Sequence, residues 1–107
     1  MSSRRHVQIT ETIQHLAGEY LAHEASKQSL ITVTRAEVTH DLKNVTVYLS
    51  VLPDTLEKQA LEFAKRSRSE FRLYIREHSF LHPAPTVDFE IDYGEKNRQR
   101  IDELTRK

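Results

Sequence analysis

The chain contains no cysteine, which excludes a disulfide framework, thiolate catalysis and any zinc site built on sulfur, and suits a reducing compartment. It has only two glycines, Gly18 and Gly94, so a phosphate loop, a nucleophile elbow and a Gly-rich dinucleotide turn are all excluded. Three prolines among 107 residues, with 37% hydrophobic and 30% charged residues, are the composition of a packed domain and not of a linker or low-complexity tract. Long apolar runs are missing as well. None approaches the roughly 20 residues that span a bilayer, and Met1-Ser2-Ser3-Arg4-Arg5-His6 leads into no apolar segment of a signal peptide. The expectation is a cytoplasmic protein with no membrane attachment. An excess of charge of either sign is absent too: 16 Lys plus Arg balance 16 Asp plus Glu, which speaks against nucleic-acid binding driven by global charge.

Room for one core remains, and the hydrophobic pattern says how it is built. From Arg4 to Ala25, Ile9, Ile13, Leu16, Ala17, Tyr20 and Leu21 fall on one helical stripe, and Gly18 within it marks close packing. The polar run Ser26 to Ser29 ends the helix. Leu30–Val38 is rich in β-branched residues, and Asn44–Val51 alternates, with Val45, Val47, Leu49 and Val51 on one face. Five residues between them are too few for a crossover, which makes the pair an antiparallel hairpin. Asp54 with Glu57 three residues on has the spacing of a capping box at the start of a second helix, whose buried stripe is Leu56, Ala60, Leu61 and Ala64. The stripe resumes out of phase at Phe71, Leu73, Tyr74 and Ile75, so two helices meet at a kink near Ser67-Arg68-Ser69. After Pro83 and Pro85, Thr86–Tyr93 alternates, with Val87, Phe89, Ile91 and Tyr93 inward and Asp88, Glu90 and Asp92 outward.

The fold class is therefore α+β: helix, strand, strand, helix, kink, helix, strand, with a three-stranded sheet carrying its helices on one face. That is the element order of a type II KH domain. Residues 1–94 form the KH-like domain, and residues 95–107 a polar helical tail that belongs to it or packs on it.

Three constellations invite a chemical reading. His15, Glu19 and His23 share a helical stripe, but it spans about 12 Å, too far for both imidazoles to reach one ion, so a solvated helix face is expected and no metal. Asp88, Glu90 and Asp92 have the same-face spacing of paired catalytic carboxylates and equally describe an exposed sheet face; no enzyme activity and no cofactor are expected. The third is basic. Between Lys65 and His82 stand five basic residues, Lys65, Arg66, Arg68, Arg72 and Arg76, against Glu70 and Glu77. With the free N–H groups of a helix start at Ser67 and Ser69, and with Arg4 and Arg5 at the N-terminus, they compose a candidate clamp for an RNA backbone. The plain alternative is a helix face charged for solubility. Tyr48 is the only aromatic available on the exposed sheet face to stack on a base.

The residues also resemble those of the ribosome-binding factor A family over about residues 5 to 104. Ile31-Thr-Val-Thr-Arg-Ala-Glu-Val-Thr-His-Asp-Leu42 leads into Val47-Tyr48-Leu49-Ser50-Val51-Leu52. Phe89 and Asp92 then follow Pro85, and Arg100-Ile101-Asp102-Glu103-Leu104 closes the pattern. The resemblance implies a type II KH-like fold whose Gly-rich loop is replaced by a helix-kink-helix with an Ala-x-Gly signature, at which this chain has Ser67-Arg68-Ser69. It implies a non-enzymatic assembly factor that binds the small (30S) ribosomal subunit and its 16S rRNA and assists maturation of the 16S 5′ end. Ribosomal proteins are further candidate partners, and the factor is expected as a monomer. Two other functions are consistent with the same residues: a KH-like module for other structured RNA, and a protein-interaction domain docking through the exposed sheet face.

Overall fold

A computed structural model describes residues 4–24 and 29–94. Most of the polar stop after the first helix and all of the tail at 95–107 lie outside the described residues. The elements are α1 (Arg4–Glu24), β1 (Leu30–Val38), β2 (Asn44–Leu52), a 3-10 turn (Asp54–Leu56), α2 (Glu57–Arg66), α3 (Arg68–His78) and β3 (Thr86–Ile91). The order is the one expected from the hydrophobic pattern.

Strand β2 is central, antiparallel to β1 and parallel to β3. Its alternation is unbroken because one face of the sheet lies on the core and the other does not: Val45, Val47, Leu49 and Val51 are all buried. In register, Val45, Val47 and Leu49 stand beside Val87, Phe89 and Ile91 of β3. These rows form the sheet side of the core. The helix side is the predicted α1 stripe, every member of it buried, with Ala60, Ala64, Phe71 and Ile75 from α2 and α3. Phe71 and Phe89 meet with ring centroids 5.7 Å apart, and Tyr20 packs on Phe71 at 5.4 Å. Each such side chain contributes about 1.5–3 kcal/mol by leaving water, so this junction of α1, α3 and β3 is the centre of the fold.

The structure adds an irregularity in β1 and corrects several expectations. Strand β1 carries a bulge between Val33 and Arg35, so its inward residues are Ile31 and Val33 before it and Ala36 and Val38 after it. Strand β3 stops at Ile91, and the alternation stops with it: Tyr93 is 62% exposed and Asp92 only 7%. Asp92 turns in because its N–H donates to the Leu49 carbonyl at 2.8 Å, while its carboxylate accepts from the Thr34 hydroxyl at 2.6 Å and from Arg35 Nε at 3.4 Å. Asp54 does not cap α2. It lies inside the 3-10 turn, and no side-chain cap bond is made at Pro53 or Leu56. A Cβ at Gly18 would meet nothing within 4 Å, so that glycine does not mark close packing. Leu73 is exposed, because α3 turns only the Phe71 and Ile75 side fully onto the core.

Candidate nucleic-acid interface

The kink is one residue long. Ser67 donates its N–H to the carbonyls of Phe63 and Ala64, at 3.1 and 3.0 Å, and its hydroxyl to Phe63 at 2.9 Å. A hydroxyl returning to the carbonyl four residues back loosens the regular ladder and bends a helix. With φ −90° and ψ 4°, the bend uses a backbone conformation open to any L residue and needs no glycine. Ser67 is buried with its hydroxyl so engaged, whereas Ser69 is exposed.

The structure does not gather the nine candidate residues into one patch. Lys65 and Arg68 reach the acids of the edge strand β3: Lys65 Nζ lies 3.0 Å from Asp88 and 3.5 Å from Glu90, and Arg68 Nη1 lies 3.4 Å from Asp88. Charge segregated along the chain is thus partly cancelled in space. Burial pushes the Asp88 carboxyl up, but the Lys65 hydrogen bond, the Phe89 N–H and the Lys65 and Arg68 charges outweigh it and hold the group below its ordinary value. Arg66 faces elsewhere, beside Ile31, Leu56 and Phe63. Arg4 is exposed on the first turn of α1.

Arg72, Arg76 and Ser69 lie on another side of α3, against the loop that enters β3. Arg72 is held there by two bonds to the Ala84 carbonyl, from Nε at 3.1 Å and Nη2 at 2.9 Å. Next to it opens a groove of about 510 Å³ that also receives Arg5, Lys43 and His82. Arg5 is brought in because the neighbouring His6 donates from Nε2 to the Val38 carbonyl at 2.8 Å, tying the start of α1 to the end of β1.

Lys43 and His82 have no place in the clamp read from sequence. The parallel register explains why they belong near Arg72: Asn44 pairs with Thr86, and the Thr86 N–H donates to the Lys43 carbonyl at 2.8 Å. Residues just before β2 and just before β3 therefore share one end of the sheet. Two strands can be recognised from their own patterns, but their mutual register cannot.

Elsewhere, the features that invited other chemistry have partners of their own. Glu19 pairs with His15 at 2.9 Å and accepts the Tyr74 hydroxyl at 3.1 Å. The Arg35 guanidinium covers the Tyr48 ring at 3.8 Å from its centroid, which occupies a face a base would need. Arg35 also pairs with Glu37, which accepts the Tyr48 hydroxyl. No described helix is long and apolar enough to cross a membrane.

Against known proteins, the family model described as ribosome-binding factor A matches residues 5–105. The chain belongs to the ribosome-binding factor A family. It is 31% identical to ribosome-binding factor A of Thermobifida fusca, over all of this chain and 73% of that one. It is 33% identical to that of Fervidobacterium nodosum over 72% of this chain. The chain spans 62% of the length of the Fervidobacterium relative. The crystal structure of ribosome-binding factor A from Thermus thermophilus superposes with a TM-score of 0.71 at 15% identity, covering 79% of this chain and 93% of that one. At that identity the likeness speaks for the fold, which is the KH-like α+β arrangement implied by the element order.

Proposed function

We propose that the protein is a non-enzymatic ribosome assembly factor that binds the small ribosomal subunit and its 16S rRNA in the cytoplasm and assists maturation of the 16S 5′ end. The observation that carries this reading is the match of residues 5–105 to a family of ribosome-binding factors. The exposed cations give it a physical basis. Arg4, Arg5, Arg72 and Arg76 present phosphate-binding groups on one domain, and Lys65 and Arg68 can add to them by exchanging the β3 carboxylates for phosphates. Contacts of this kind position a protein without reading bases, so selectivity comes from the folded shape of the rRNA.

Co-sedimentation of the full chain with purified small subunits, mature and precursor-containing, at two salt concentrations tests this. Salt-sensitive association with small subunits and not with large ones is the expected result. Failure to associate at low salt overturns it.

A further inference from the structure

The groove beside Arg72 is built from four segments distant in sequence. Arg5 comes from α1, Lys43 and one acid, Asp41, from the turn before β2, Arg72 from α3, and His82 from the loop before β3, so cations outnumber the acid in its lining. Between them lies an apolar floor that includes Leu42, Leu81 and Pro85. Its volume of about 510 Å³ falls within the range of about 300–1,000 Å³ typical of small-ligand sites.

Arg72 is held by its side chain and Lys43 by its backbone. Arg72 is fixed by two bonds from Nε and Nη2 to Ala84, which leaves Nη1 without a protein partner among the described residues. The Lys43 backbone is fixed at both ends, its N–H donating to Asp41 Oδ1 at 3.0 Å and its carbonyl accepting from Thr86. Leu42 adopts φ 62°, a left-handed conformation that strains a branched apolar residue. That conformation turns the Leu42 side chain against the core and into the groove floor. The left-handed residue closes the turn between β1 and β2, its N–H donating to the Thr39 carbonyl at 2.9 Å, and Lys43 follows it at the border of the groove.

We infer that this groove takes one unstacked ribonucleotide of a single-stranded RNA segment, its phosphate between Arg72 and Lys43 and its sugar or base on the apolar floor. A guanidinium held against Ala84 and a neighbouring ammonium suit a phosphate, and a floor of Leu and Pro suits the flat, less polar part of the same nucleotide. A base paired in a duplex cannot present both at once, because only unpaired nucleotides splay their bases. The proposal rests on the reading above for RNA as the partner and goes beyond it in naming the place and the strand state.

The test is an amide-shift titration of the full chain with a short single-stranded oligoribonucleotide, and in a second arm with a free nucleoside 5′-monophosphate. The strand is expected to shift Leu42, Lys43, Leu81, His82 and Ala84, and to bind more tightly than the mononucleotide. Lys43→Glu should weaken the strand about tenfold, and His82→Gln should weaken it less; neither side chain makes a hydrogen bond or close ion pair among the described residues, and the Lys43 charge acts on the exposed Asp41 carboxyl beside it, whose pairing is not needed for the fold. Equal affinity for strand and mononucleotide overturns the strand assignment, and shifts confined to Lys65 and Arg68 overturn the groove. If Lys43→Glu still co-sediments with small subunits as the unsubstituted protein does, the groove falls while the ribosomal reading stands. If groove shifts appear without any co-sedimentation, the groove stands and the ribosomal reading falls.

Discussion

Lys65 Nζ sits 3.0 Å from Asp88 Oδ1, the same oxygen that receives Arg68 Nη1 at 3.4 Å and the Phe89 N–H at 2.9 Å. Two cations of the kink thus share one carboxylate oxygen on the edge strand, as they would share a phosphate oxygen. An RNA phosphate drawn to the kink competes with Asp88 and must displace it. Lys65 and Arg68 are partly exposed, so the pairs themselves stabilise the fold by less than about 1 kcal/mol, while their effect on a ligand is direct.

Asp88→Asn should accordingly tighten association with the small subunit and steepen its salt dependence, by up to about one unit of slope per cation released. Affinities measured by sedimentation across a salt series check this. Weaker binding by Asp88→Asn would show that the carboxylate helps the partner instead of competing with it.

Ser67 decides the bend between α2 and α3, and its dihedral angles demand no glycine. Ser67→Gly should therefore lower stability by roughly 0.5–1 kcal/mol through added freedom of the unfolded chain. Ser67→Leu, forced into a site only 7% exposed, should cost about 1–3 kcal/mol. Chemical denaturation ranks the three proteins, and a Gly variant more stable than the Ser protein would reveal strain that the φ value does not show.

Gly18 lies inside α1 with no neighbour within 4 Å of a Cβ placed there. Gly18→Ala should raise stability by about 0.5–1 kcal/mol, since alanine removes backbone freedom from the unfolded chain and meets no obstacle in the folded one. The denaturation midpoint should rise with an unchanged slope.

Two carboxyls are held below their ordinary value of 3.8, Asp41 by the Thr39 hydroxyl and the Lys43 N–H, and Asp88 against its own desolvation by Lys65, the Phe89 N–H and Arg68. A carboxyl lowered in the folded state binds fewer protons there than in the unfolded chain, so its stabilisation is complete above pH 3.8 and is lost as pH falls through the folded value. Stability measured from about pH 6 to about pH 2 should fall below about pH 4, and less steeply in an Asp41→Asn, Asp88→Asn double variant. An identical acid limb in both proteins would remove these two groups from the cause.

The amino-acid sequence by itself determined the elements, because each is written in a local period. The α1 stripe from Ile9 to Leu21, the alternation of β2 and the phase slip at Ser67 can be read within one or two dozen residues, and the inward faces of α1 and β2 bury as their periods require. The five basic residues from Lys65 to Arg76 were equally visible. Even the β1 bulge leaves a local trace, since its inward residues change from odd to even numbers between Val33 and Ala36.

What only the tertiary structure decided is where charges meet. Lys65 finds Asp88 and Glu90 more than twenty residues away along the chain, Thr34 finds Asp92 across the sheet, and Lys43 comes to Arg72 and His82 through the pairing of Asn44 with Thr86. Periodicity carries no information about which strand lies beside which or in what register, since side-chain alternation repeats every two residues at any offset. Register is settled when Val47 and Phe89 are buried side by side. Once it is settled, the same cations that form one run in the sequence divide into two that are paired on β3 and others left open to a phosphate.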